Sequence, residues 1–116
     1  NATSKLEVYE LYRITEFENI QKSFKQFFNL DFEIDHAEAL LNNEKQGEHH
    51  PNNLQLLLKY HNGKKNKNSW NRFTFDEQVD YIKKSVALHS LVADKFDVEI
   101  DNKILDSLLN RLNEIY

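Results

Sequence analysis

The chain contains no cysteine and no methionine, and only 2 glycines and 1 proline. Without cysteine, neither disulfide bridges nor a structural zinc site of the Cys type can hold the fold, so packing must do it. The scarcity of glycine and proline leaves no evident interdomain linker, and 116 residues with 40% hydrophobic content suit one domain with its own core, spanning residues 1–116. No apolar run approaches the ~20 residues that span a bilayer, and no leader of basic, apolar and small residues opens the sequence. A soluble, cytoplasmic protein without a membrane partner is expected. Methionine is missing at position 1 as well, which predicts a domain cut from a longer protein whose remainder carries part of the function, including recognition.

Acid is lacking in one stretch. From His49 to Phe75 there is no Asp or Glu, while Lys59, Lys64, Lys65, Lys67 and Arg72 supply five positive charges. The net charge of −4 taken alone argues against a nucleic-acid partner, because phosphate backbones call for Lys and Arg. The basic strip reverses that argument. A merely solvated loop is the competing reading of any lysine cluster.

The periodicities predict an α+β domain, mainly helical. Ser4 with Glu7 and Thr15 with Glu18 each fit a capping box, so two N-terminal helices are expected. Leu6, Tyr9 and Arg13 continue the first, and Phe17, Ile20, Phe24, Phe27 and Phe28 form an apolar core stripe on the second. Asn29 closes it. Residues 31–35 alternate polar and apolar, the period of a half-buried strand, with His36 at its end. Residues 41–53, rich in Asn with Gly47 and Pro51, read as a loop. Leu54 to Leu58 gives a second extended run that can pair antiparallel with the first, although a Leu-rich run does not exclude helix.

Asn62-Gly63 marks a turn, with a short helix expected from Lys64 to Trp70. Thr74 and Glu77 form a third capping box, opening a helix with Val79, Ile82, Val86, Leu91 and Val92 on one side. Asp101 is the expected N-cap of the last helix, whose stripe of Ile104, Leu105, Leu108, Leu109, Leu112 and Ile115 packs on the domain's own core or meets a second subunit or the missing region.

One segment concentrates chemistry. Asp35-His36 ends the first apolar run, Asn53 opens the second, and His61-Asn62 precedes Lys65. A carboxylate suits a hard metal ion, an imidazole can take a proton near neutral pH, and an amide oxygen can serve as a second ligand.

This order resembles the HNH (ββα-metal) endonucleases, over roughly residues 32–73, about a third of the chain. The matching positions are Asp35-His36, then Asn53-Leu54-Gln55-Leu56-Leu57, then Asn62, nine residues after Asn53 and three before Lys65. His61 occupies the place where many relatives carry a zinc-knuckle cysteine, and is the alternative ligand. The resemblance implies a ββα-metal core over residues 31–73, flanked by helical segments 1–30 and 74–116. It implies Asp35 and Asn62 as ligands of a divalent metal, Mg²⁺ or Mn²⁺, His36 as general base, and Asn53 as the residue that ties loop to hairpin and holds the base. Lys59, Lys64, Lys65, Lys67 and Arg72 would meet the DNA backbone. The missing cysteine pairs resemble the cysteine-free versions found in some restriction enzymes, as does Trp70-Asn71-Arg72-Phe73, in which Trp70 and Phe73 are expected in the core.

Rival readings remain open at this level. His49, His50 and His61, with Asp35, offer a transition-metal site or an incidental surface cluster. The motif also suits a non-catalytic nucleic-acid-binding or assembly module, and a nuclease acting on RNA or structured DNA, since phosphate contacts carry no base identity.

Overall fold

The computed structural model describes residues 7–37, 50–65, 71–93 and 98–116, with backbone alone for residues 91–93 and 98–100. The described chain is mainly helical with one small sheet: α1 (Val8–Phe28), β1 (Phe32–His36), a 3-10 turn (Pro51–Asn53), β2 (Leu54–Leu58), α2 (Lys59–Lys65), α3 (Phe75–Ala93) and α4 (Val98–Ile115). Ser4, Leu6, His49, Lys67 and Trp70 lie outside the described residues, as do most of the expected 41–53 loop and the side chains of Leu91 and Val92.

Where two N-terminal helices were expected, α1 is continuous. Its N-cap is Glu7, whose side chain accepts from the Glu10 amide while the Glu7 amide donates to Glu10 Oε2 at 2.9 Å. Thr15 falls in mid-helix, where amides already have carbonyl partners one turn earlier and a capping side chain has nothing left to satisfy. Ile14 carries the apolar stripe across that junction into Phe17, Ile20, Phe24 and Phe28. Phe27, expected in the stripe, is instead half exposed. Asn29 ends the helix in the left-handed conformation (φ 54°), its amide bonding back to Lys25.

The second run is a strand. β1 and β2 pair antiparallel with Phe32 opposite Leu58, Asp35 opposite Gln55 and His36 opposite Leu54. Alternation sends Phe32, Leu54 and Leu56 into the core, where the Phe32 ring meets Phe24 edge-on at 5.0 Å between centroids.

A two-stranded sheet leaves both edges bare, and the outer edge of β2 is closed by side chains instead of a third strand. Gln78 on α3 accepts from the Leu56 amide at 2.8 Å and donates to the Leu56 carbonyl at 3.0 Å. The Tyr81 hydroxyl accepts from the Leu58 amide at 2.8 Å, and Arg72 Nε donates to the Leu54 carbonyl at 2.8 Å. On the other edge, Gln21 of α1 donates to the Phe32 carbonyl.

Thr74 and Glu77 cap α3 reciprocally, as their spacing predicts. α4 begins at Val98, so Asp101 lies within the helix and is not its cap. Leu105, Leu108, Leu109, Leu112 and Ile115 join Phe17, Ile20 and Phe24 in one buried cluster, which places the leucine stripe on the domain's own core. Among the described residues no helix is long and apolar enough to cross a membrane.

A bidentate pair seals α1 to α4: Arg111 reaches both Glu16 oxygens, at 2.8 and 3.0 Å. That hydrogen bonding holds the Glu16 carboxyl below its ordinary value near 4.5. The unfolded chain therefore binds this proton more tightly, so the pair's contribution is complete above the ordinary glutamate range and is lost as pH falls through the depressed folded value. Glu16→Gln is expected to flatten that part of the curve of Tm against pH. An unchanged acid limb would remove the pair from the account.

Candidate functional site

The Asn62-Gly63 pair predicted a turn, yet both residues sit inside α2, which starts directly after β2. Gly63 does not use its conformational freedom: its φ is not positive, and an added Cβ would meet nothing within 4 Å. Docking decides the local structure. The Lys59 amide donates to the Asp31 carbonyl at 2.8 Å, closing the end of the hairpin and starting the helix there. Residues 66–70 of the expected short helix lie outside the described residues.

Asn62 and Lys65 stand three apart on α2 and share a face; Glu33 and Asp35 stand two apart on β1 and share a face. The two faces meet. Asn62 Nδ2 donates to Glu33 Oε1 at 3.0 Å. Lys65 Nζ lies 3.1 Å from Asp35 Oδ1 and 3.0 Å from the His36 carbonyl oxygen. Asp35 Oδ2 accepts from Gln55 Nε2 at 2.9 Å, and Gln55 Oε1 accepts from the Phe73 amide at 2.8 Å. Lys65, Asp35, Gln55 and the Phe73 amide thus form one chain of polar groups in which each partner orients the next, with the half-buried Asn62–Glu33 pair beside it.

Lys65 is 1% exposed, so it does not belong to the basic surface strip expected of it. The reason is electrostatic: a carboxylate buried on β1 needs a counter-charge, and the last residue of α2 carries one within reach. Arg72 is also drawn inward. Its guanidinium donates to the carbonyls of Leu54, Pro51 and Tyr116 and stacks 3.8 Å from the centre of the Tyr116 ring. Burial, above all, lowers its pKa. Arg72 therefore ties the β2 edge to the end of α4, and its donors face carbonyls where a phosphate contact was expected. Lys59 and Lys64 remain exposed, and Lys64 Nζ lies 4.9 Å from the ring centre of exposed Tyr60.

His36 is the last residue of β1 and successive to Asp35, so alternation assigns the two to opposite faces of the hairpin. Asn53 holds the hairpin mouth through its backbone, its carbonyl accepting from the Ala37 amide at 2.8 Å and its amide donating to the His50 carbonyl at 2.8 Å. His61 turns toward α3, away from the carboxylates: its Nδ1 lies 2.6 Å from the Tyr81 hydroxyl. Burial raises the Tyr81 pKa and keeps that phenol protonated, so after accepting from Leu58 it has a proton to give Nδ1.

His50 is elsewhere, 3.5 Å from Glu10 on α1. Among the described residues no group of three or more His, Asp or Glu side chains is placed to hold a metal ion, so the His61-His50-Asp35 grouping is not assembled. Comparison of the chain with family models, with curated proteins and with solved structures gave no match in any of the three.

Asp35 Oδ1 and the His36 carbonyl oxygen converge on Lys65 Nζ where β1 meets α2, with the Asn62–Glu33 pair on the same two faces, and oxygen donors of these kinds suit a hard divalent cation. The condition is that the Lys65 ammonium leaves Asp35 Oδ1. Sequence reasoning missed Glu33 and Gln55. Glu33 was legible in principle as the same-face neighbour of Asp35; Gln55 becomes a partner only through the strand register.

Proposed function

We propose that this chain is a metal-dependent DNA endonuclease domain of HNH type with a ββα-metal core. The observation that carries the reading is the docking of the Asn62 face of α2 on the Asp35 face of β1, at the end of a hairpin closed by Asn53. In this reading the His36 ring comes round the strand end from the opposite face of the hairpin and takes a proton from water as its oxygen attacks the phosphorus, and the bond from phosphorus to the 3′ oxygen breaks. A Mg²⁺ or Mn²⁺ ion held by Asp35 and Asn62 would supply charge stabilisation at the scissile phosphate and the leaving oxygen. Asn53 pins the backbone directly after the base, and the exposed ammonium groups of Lys59 and Lys64 hold the phosphate backbone.

The test is nicking of supercoiled plasmid by the purified chain with Mg²⁺ or Mn²⁺. Nicking should disappear in EDTA and fall at least ~100-fold in His36→Ala, with an unchanged melting curve. Equal activity in His36→Ala would overturn the assigned base. A second reading, a non-catalytic nucleic-acid-binding module, is favoured by the Lys65 ammonium on Asp35. It predicts no nicking together with a gel shift that Lys59→Ala/Lys64→Ala weakens.

A further inference from the structure

The side chain of Lys65 occupies the position of a cation. Its nitrogen lies 3.1 Å from a carboxylate oxygen of Asp35 and 3.0 Å from the main-chain oxygen of His36, in a place 1% exposed. Asp35 cannot swing away from it, because its other oxygen is held by Gln55, which is in turn fixed by the Phe73 amide. The carboxylate is thus presented with Oδ1 toward the ammonium. The Asn62 amide and the Glu33 carboxylate stand one helical turn and two strand residues away on the same two faces.

We propose that Asp35 Oδ1 and the His36 carbonyl oxygen form a cation site whose resident occupant is the chain's own Lys65 ammonium, and that a divalent ion reaches Asp35 only by displacing it. The inference rests on the nuclease reading for the identity of the competing ion. Mg²⁺ binds carboxylate oxygen at about 2.0–2.1 Å, whereas the Lys65 ammonium sits 3.1 Å from the same atom. Both cannot share Oδ1 in a buried setting, because like charges at that range repel strongly where water is excluded. Lys65 reaches Asp35 through a flexible four-carbon stem, so its ammonium can withdraw by side-chain rotation without unwinding the hairpin. Lys65 thereby sets metal affinity: its ammonium neutralises Asp35 without metal, and the site resists occupation at low metal concentration.

The experiment is Mn²⁺ titration of the intact chain, of Lys65→Met and of Lys65→Met/Asp35→Asn, by calorimetry and by the shift in Tm. Lys65→Met is expected to bind Mn²⁺ at least tenfold more tightly than the unchanged chain and to gain Tm on adding it, and the double variant should lose both effects. A dissociation constant unaltered by Lys65→Met overturns the proposal, and so does the absence of binding in both the unchanged chain and Lys65→Met. Should Lys65→Met fail to fold, the ¹H–¹⁵N signal of the Lys65 ammonium in the unchanged chain decides. Saturating Mg²⁺ should move that signal into fast solvent exchange, and a signal that persists unchanged through saturation overturns the proposal. The plasmid assay separates the two failures. Metal-dependent nicking with a Lys65-independent affinity ends this proposal and leaves the nuclease standing, whereas lack of binding together with lack of nicking ends both.

Discussion

Replacing Asp35 with alanine is expected to cost about 3–5 kcal/mol of folding stability, the range for breaking a buried ion pair from one side. The loss is large because Lys65, 1% exposed and 3.1 Å from Asp35 Oδ1, would keep its charge in the interior without its carboxylate partner. Gln55 Nε2 would lose its acceptor in the same stroke. Against a total stability of about 5–15 kcal/mol for an ordinary domain, this is enough to populate the unfolded state. Asp35→Leu/Lys65→Met should recover most of this loss, since an apolar pair removes both ionic desolvation penalties, and the Gln55 amide left without its acceptor keeps it about 1–3 kcal/mol below the original chain. Urea denaturation of Asp35→Leu, Lys65→Met and the double variant, read as a double-mutant cycle, measures the coupling directly. If Asp35→Ala unfolds at the same urea concentration as the original chain, the ion pair does not stabilise the hairpin. The cycle also guards the functional test: inactivity of Asp35→Ala is evidence about chemistry only where the protein is still folded.

Gln78→Leu is the second large effect. Gln78 is fully buried and satisfies both the amide and the carbonyl of Leu56, at 2.8 and 3.0 Å. Leucine preserves the volume and removes both partners, leaving two backbone groups unpaired away from water at about 1–3 kcal/mol each. A loss of about 2–6 kcal/mol is expected in urea denaturation, with the slope unchanged and faster hydrogen exchange at the Leu56 amide. Gln78→Glu should also destabilise, because a carboxylate can accept from the amide but offers the carbonyl no donor. Wild-type stability in Gln78→Leu would mean that the β2 edge finds other partners.

The elements that were legible in the sequence are those set by short-range period. The aromatic stripe of α1 buries at Phe17, Ile20, Phe24 and Phe28; the alternation of residues 31–35 becomes β1; and the Thr74–Glu77 box opens α3. The misreadings share a cause. Thr15-Glu18, Asn62-Gly63 and Asp101 are signals that describe what a residue can do at a chain end or turn, and each sits instead inside a helix stabilised by packing or docking.

By itself, then, the sequence determined the mainly helical α+β class, the first strand and the order in which Asp35-His36, Asn53 and Asn62 follow one another, because periodicity and spacing are properties of neighbouring residues; that Leu54–Leu58 is a strand paired with it was decided by the fold. Only the tertiary structure decided which positive charges face outward. Lys59 and Lys64 stay exposed, whereas Lys65 lies on Asp35 and Arg72 on three carbonyls. A charged side chain goes inside where folding leaves a buried carboxylate or carbonyl without a partner, and that need arises from residues distant in the chain.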